Sequence, residues 1–160
     1  VKILANIDGG SRGNPGPAAS AYVLADEKGN IIEEKGVYLG EATNNRAEYY
    51  ALHLALEAGI RRGVCAIEIR SDSLLLVNQF NGKFKIKDAG LFKMMGEIKS
   101  LGAKISKVTL THVPREKNKL ADAAVNKTLD AAQKGRAAQF AKPAPLADAG
   151  GDTGEQLTLF

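Results

Sequence analysis

Asn6-Ile7-Asp8-Gly9-Gly10-Ser11-Arg12-Gly13-Asn14-Pro15-Gly16-Pro17 is the stretch around which the chain is organised. The apolar run leading into it, Ile3 to Ile7, reads as a strand. That strand delivers one carboxylate, Asp8, and the pattern then breaks into glycine, proline and asparagine. Proline withholds a ladder donor and glycine has no side chain to pack, so the segment is expected to leave the sheet at Asp8. Bare glycine backbone can also approach a ligand closely. A carboxylate beside such a turn has two readings: a site, or an ordinary surface hairpin with a stray acid.

Working outward, Ile3, Ala5 and Ile7 share one face of the first strand, and Leu4, Asn6 and Asp8 the other. Two largely covered faces mark a central strand. Ala18 to Ala25 and Ile31 to Leu39 read as two further strands, separated by the turn Asp26-Glu27-Lys28-Gly29-Asn30. Thr43 to Arg62 changes period: Ala47, Ala51, Leu54, Ala55 and Ala58 fall at helical spacing, Thr43 is placed to cap the start and Gly63 to end it. Ala66 to Arg70 is a short strand. Leu74 to Phe80 and Leu91 to Leu101 are helices, with the alternating Lys83-Phe84-Lys85-Ile86-Lys87 between them. Lys104 to Thr111 is a last strand. His112 to Asn118 reads as a loop, because Pro114 disfavours helix at Val113. Asn118 is placed to cap a final helix running to Gln133. The order implies an α/β fold: a five-stranded mixed sheet, antiparallel over strands 1–3 and parallel over strands 4–5, flanked by helices.

At 160 residues, one domain with a tail is the natural organisation. Residues 1–134 form the expected domain. Residues 135–154, rich in Ala, Pro, Gly and Asp, read as a flexible linker. Residues 155–160 end the chain on an apolar motif. The net charge of +4 favours an anionic partner. A single cysteine, Cys65, excludes an internal disulfide and a cysteine-cluster zinc site, and reads as a small core residue. No apolar run approaches a membrane span and no secretory signal opens the chain, so a cytoplasmic protein without a membrane partner is expected.

Four acids occupy comparable places. Asp8 ends the first strand, and Asp72 follows the fourth at a helix start. Glu48 and Asp122 lie early in helices with apolar neighbours at helical spacing, so both should face the sheet. Any one could be a mere cap or dipole partner. Buried carboxylates need compensation, and few basic residues stand in register. Divalent cations would serve: Mg²⁺ takes carboxylate oxygens, and two ions about 4 Å apart suit phosphodiester cleavage.

Four motifs, in this order, resemble type 1 ribonuclease H over roughly Lys2 to Gln133. They are Asp8 to Pro17; Thr43-Asn44-Asn45-Arg46-Ala47-Glu48; Ser71-Asp72-Ser73; and His112-Val113-Pro114-Arg115 with Asn118 and Ala121-Asp122. The resemblance implies endonucleolytic cleavage of the RNA strand of RNA–DNA hybrids, leaving 5′-phosphate and 3′-hydroxyl ends. It places the family's catalytic and metal-binding carboxylates on Asp8, Glu48, Asp72 and Asp122. It implies two Mg²⁺ as cofactors, with Mn²⁺ a possible substitute. Asp8 would bridge both ions, Asp122 would hold the one that activates water, and Glu48 and Asp72 the one at the leaving oxygen. His112 and Arg115 are auxiliary candidates, for product release and for handling the scissile phosphate. The implied substrate contacts are Gly9, Gly10, Asn14, Thr43, Asn44 and Asn45, with Asn14 and Thr43 near a DNA-strand phosphate.

The sequence departs from the family pattern in places. Leu74 stands where many members carry a polar groove contact. Only Lys83, Lys85 and Lys87 occupy the place of a larger basic protrusion, so weaker hybrid binding is expected. No N-terminal hybrid-binding module is expected either. The terminal Gln156-Leu157-Thr158-Leu159-Phe160 resembles a bacterial sliding-clamp-binding pentapeptide, with Gln156, Leu157, Leu159 and Phe160 as the anchors and the clamp as partner. A role at primers and R-loops, as a monomer, is the implied reading. The alternatives are a non-catalytic, clamp-tethered hybrid-binding adaptor and another polynucleotidyl transferase such as an integrase or resolvase. The complete acid set speaks against the adaptor, and the Thr43-Asn44-Asn45 segment against the transferase.

Overall fold

The computed structural model describes residues 1–135. The terminal motif and nearly all of the expected linker lie outside the described residues. The elements run β1 (Lys2–Ser11), β2 (Gly16–Ala25), β3 (Ile31–Ala42), α1 (Asn44–Arg61), β4 (Ala66–Ser71), α2 (Leu74–Phe80), α3 (Ala89–Gly102), β5 (Lys107–His112) and α4 (Lys119–Gln133). The sheet order is β3-β2-β1-β4-β5. The β1–β2 and β2–β3 pairs are antiparallel, and the β1–β4 and β4–β5 pairs are parallel. This is the expected mixed sheet, with β1 at its centre.

Two helical layers cover the sheet. On one face Ile3, Ala5, Ile7, Tyr22 and Leu24 pack with Leu52, Leu56, Leu76 and Ile98 of α1, α2 and α3. On the other, Ala19 and Ala21 meet Ala124, Val125 and Leu129 of α4. Small residues on β2 let α4 lie close to the sheet.

The structure corrects several boundaries. β1 does not stop at Asp8: it continues through Gly9, Gly10 and Ser11, paired with Ser20, Ala19 and Ala18 of β2. An antiparallel partner supplies the ladder bonds that glycine leaves intact, so local composition was the weaker influence. β3 runs three residues past Leu39, with a register shift opposite Ala18/Ala19 and Gly40 at φ +75°; the extra residue is a bulge that a left-handed glycine allows. His112 belongs to β5 rather than to a loop, paired with Ser71. Cys65 is exposed, not a core residue. It precedes the first residue of β4, and its neighbour Val64 takes the inward place.

The caps of α1 form as expected. Thr43 accepts from the Arg46 N–H at 3.2 Å, and Gly63, at φ +67°, follows the C-cap. Asn118 precedes α4, but its side chain makes no cap. It is 1% exposed and is spent on β1 instead: Nδ2 donates to the Ile7 carbonyl at 2.8 Å, and Oδ1 accepts from Asn6 Nδ2 at 2.9 Å. One side chain thus ties the start of α4 to the strand that carries Asp8. Replacing Asn118 by Ala takes its donor from the Ile7 carbonyl and leaves Asn6 Nδ2 only the Lys117 carbonyl at 3.5 Å, and a loss of about 2 kcal/mol is expected. Urea unfolding measures it as a lowered midpoint at unchanged slope. A loss below about 0.5 kcal/mol, the size of an ordinary surface change, would show the tie to be idle.

The basic connection between α2 and α3 is also held. The Tyr49 hydroxyl donates to Gln79, and Gln79 Nε2 donates to the Lys85 carbonyl at 3.1 Å. Lys83, Lys85 and Lys87 are exposed, while Ile86 packs against the core.

Candidate active site

The sheet register places the first two acids. Ile7 of β1 lies beside Ser71 of β4, so the next residues of two parallel strands, Asp8 and Asp72, emerge side by side. β4 ends at Ser71 while β1 runs on beside β2, and the crossover that leaves β4 there makes room for a ligand. Glu48 reaches this place from the fifth position of α1, and Asp122 from the first turn of α4.

Gly9 makes the approach of α1 possible. A Cβ there would lie 2.3 Å from the Ala47 carbonyl carbon and 2.4 Å from the Glu48 nitrogen. The Ser20 hydroxyl donates to the Ala47 carbonyl at 2.6 Å and fastens the same contact. The glycine read from sequence as a ligand-facing backbone is thus also the notch into which the helix settles.

Asp8, Glu48 and Asp72 each present a carboxylate oxygen within 4.8 Å of the others. Asp8 and Glu48 are each 7% exposed. Asp122 is half-buried, lines the same cleft and lies in hydrogen-bonding reach of Asp8. Burial, with Asp72 and Asp122 close by, pushes the Asp8 carboxyl up from 3.8 to about 7; the Gly9 N–H offsets part of this. Burial, Asp8 and Asp72 drive Glu48 well above its ordinary range, against the opposing Gly9 N–H and Arg115. One oxygen, Glu48 Oε1, is buried with no hydrogen-bond partner. Such a cluster is unfavourable by itself, because like charges facing one another cannot all ionise.

Gly9, Gly10, Asn44 and Arg115 line the cleft with the acids. Asn14 Oδ1 accepts from the Asn44 N–H at 3.0 Å, and Asn44 Oδ1 accepts from the Ser11 N–H at 3.0 Å. Asn14, Asn44 and the end of β1 are therefore one bonded rim, with Thr43 and Asn45 flanking Asn44. His112 stands apart from the cleft lining, exposed at the end of β5 one strand beyond Ser71. Sequence reading passed over Ser11, Arg12, Val125, Asn126 and Leu129, which also line the cleft. Asn126 was within reach of it, since it falls four residues after Asp122 on the same helix face.

A family model described as Reverse transcriptase-like matches residues 6–128. Ribonuclease HI of Halobacterium salinarum is 44% identical over 129 residues, which is 81% of this chain and 65% of the relative. The crystal structure of RNase H1 from that archaeon matches with TM-score 0.79 at 43% identity, covering 81% of this chain and 98% of the other. The chain belongs to the ribonuclease HI family. A second ribonuclease HI structure, LC11-RNase H1 from compost in complex with an RNA/DNA hybrid, matches at 41% identity and TM-score 0.78, over 82% and 99% of the two chains. The N-terminal RNase H domain of Rv2228c from Mycobacterium tuberculosis, fused to maltose binding protein, matches at 34% identity and TM-score 0.81, over 84% and 98%. The chain spans 65% of the H. salinarum relative and 40% of the bifunctional protein Rv2228c, less than two thirds of either.

Ribonuclease HI membership implies use of divalent metal, and the residues present fit it. The donors are all carboxylate oxygens, the choice of a hard cation. The partnerless Glu48 Oε1 and the mutually repelling acids are what a cation would satisfy. Among the described residues, no helix is long and apolar enough to cross a membrane.

Proposed function

We propose that the chain hydrolyses the RNA strand of RNA–DNA hybrids with two divalent cations, leaving 5′-phosphate and 3′-hydroxyl ends. The observation that carries this is the meeting of three carboxylates, with Asp122 against Asp8, around a Glu48 oxygen that has no partner. Asp8, Glu48, Asp72 and Asp122 would hold the metal, Mg²⁺ or in its place Mn²⁺. When bound, such cations lower the pKa of water and neutralise charge on a phosphate and its leaving oxygen.

The chain's own residues do the rest. Asp8 sits on the central strand, whose preceding residue Ile7 is tied through its carbonyl to Asn118, and it lies close to Glu48, Asp72 and Asp122 alike. Arg115 brings a positive charge to the acid-rich cleft, where a scissile phosphate needs one; Arg12, the other cation of the lining, is paired with Asp130. The bonded rim of Asn14, Asn44 and Ser11, with the Gly9-Gly10 backbone and the flanking Thr43 and Asn45, presents small polar groups suited to a 2′-hydroxyl and to DNA phosphate. His112, exposed at the end of β5 and outside the cleft lining, would assist product release. Exposed Lys83, Lys85 and Lys87 add phosphate contacts, so binding will weaken steeply with salt and depend little on sequence.

The test is one labelled hybrid beside double-stranded RNA and double-stranded DNA, each with Mg²⁺, Mn²⁺ or chelator. Cleavage of the RNA strand of the hybrid alone, abolished by chelator, is expected. Hybrid bound but left intact with both metals would make the chain an adaptor and end the hydrolytic reading.

For the C-terminal segment, of which only Gly135 is described, the proposal is a tether: residues 135–154 as linker, Gln156, Leu157, Leu159 and Phe160 as anchors for a sliding clamp. Tethering would raise the local concentration at primers and R-loops. Deleting 156–160 is expected to abolish capture on immobilised clamp and leave hybrid cleavage unchanged. Loss of cleavage along with capture would instead make these residues part of the domain.

A further inference from the structure

Asn126 lines the cleft one turn after Asp122 on α4, and its carboxamide is held from two sides. Arg12, just past β1, donates from Nη2 to Asn126 Oδ1 at 3.2 Å. Asn126 Nδ2 donates to the Asp122 carbonyl at 3.1 Å and to Asp122 Oδ2 at 3.4 Å. A guanidinium carries only donors, so it dictates which end of the amide it meets. With Oδ1 turned to Arg12, only the NH₂ can face Asp122. Arg12 is itself anchored, by an ion pair to Asp130 at 2.9 Å, by a hydrogen bond to Gln133, and by its own N–H to the Pro17 carbonyl at 2.8 Å.

Asp122 has need of such a guide. Asp8, Glu48 and Asp72 converge within 4.8 Å, and Asp122 is not part of that set although it lies against Asp8. Facing other carboxylates, a half-buried acid would turn outward. A donor that engages Oδ2 from along the helix holds the group in one rotamer and leaves its second oxygen for the cleft. Asn126 itself is exposed, so the fold gains little from it.

We propose that Asn126, oriented by Arg12, is a positioning residue that sets the Asp122 carboxylate for divalent cation and attacking water. This rests on the hydrolytic reading above. Asn126→Ala, Arg12→Met and the double variant test it with two readouts. The first is hybrid cleavage kinetics at saturating Mg²⁺. The second, without substrate, is the rise of Tm with Mg²⁺ concentration. For Asn126→Ala, kcat is expected to fall about tenfold with KM within about twofold of wild type, the mark of an interaction that serves the reacting state. Its half-point in Mg²⁺ is expected to rise about threefold or more, with metal-free Tm within about 2 °C of wild type. Arg12 acts through Asn126, so Arg12→Met should cost nothing further in kcat once Asn126 is Ala.

Cleavage and Mg²⁺ response like wild type in Asn126→Ala would overturn the inference. So would losses that multiply in the double variant. If the wild type itself leaves hybrid intact, the hydrolytic reading has failed, and the Mg²⁺ half-point alone then decides whether Asn126 sets Asp122.

Discussion

Asp8→Asn is expected to abolish the proposed hybrid cleavage and, without metal, to make the protein more stable at neutral pH. The loss of rate is expected at about a thousandfold or more, some 4 kcal/mol of barrier, because the swap keeps the shape and removes the charge at the centre of the cluster. The gain in stability follows from the carboxyl being pushed up to about 7 by burial and its acidic neighbours. In the unfolded chain this group ionises near 3.8; in the fold it resists. The fold is therefore unburdened below that value, the cost grows as pH rises from about 4 to 7, and it is fully present above 7. Full relief would return ~4 kcal/mol by the usual conversion. An amide in the same buried place still needs hydrogen-bond partners, so about 2 kcal/mol is expected.

Urea unfolding with chelator present, at pH 7.5 and at pH 4, should show the gain at the first and its disappearance at the second. Adding Mg²⁺ should raise the Tm of the wild type and not that of the variant, since a ligand stabilises only the state that binds it. An Asp8→Asn protein less stable than wild type at pH 7.5 would mean the acids are not in mutual opposition. Residual cleavage near wild type would mean they are not the catalytic set.

Gly9→Ala is expected to damage both stability and activity, where Gly10→Ala damages neither fold nor stability by much. The added methyl at position 9 meets backbone atoms of Ala47 and Glu48 at 2.3–2.4 Å, and backbone cannot rotate away as a side chain can. The helix must retreat, giving up the Ser20–Ala47 hydrogen bond and the packing of Ala47 against Ala18 and Leu39. A cost of about 3–5 kcal/mol is expected, the upper range for forced repacking. Glu48 moves with its helix, and a displacement near 1 Å lowers cleavage about a hundredfold. At position 10 the nearest atom to a new Cβ is Val125 Cγ1 at 3.7 Å, an ordinary contact. Stability of Gly10→Ala should stay within about 1 kcal/mol of wild type. Equal behaviour of the two variants in urea would show that the notch at Gly9 does not seat the helix.

Both predictions turn on contacts between residues far apart in the chain, and that separates what was legible from what was not. Period and capping are local, so the helices, the strands and the ends of α1 could be read from Thr43, Gly63 and the spacing of alanines. The acids could be picked out because each follows a strand or opens a helix. Local signals misled where a distant partner overrode them. Gly9, Gly10 and Ser11 stay in the sheet because β2 lies alongside. Asn118 looked like a cap and instead donates to the carbonyl of Ile7. Cys65 looked buried beside Val64 and lies outside because β4 begins one residue later. Asn126 could have been found from its spacing to Asp122, but its pairing with Arg12 carried no message until the fold laid the two against one another.

The order of amino acids alone determined the element types, their succession and the kinds of groups available, because those depend on neighbours within a turn or two. Only the tertiary structure decided that Ile7 aligns with Ser71, that α1 drops onto Gly9, and that α4 is tied to β1 by Asn118. Those three long-range contacts turn separate carboxylates into one site, and each depends on atoms that lie tens of residues apart in the chain.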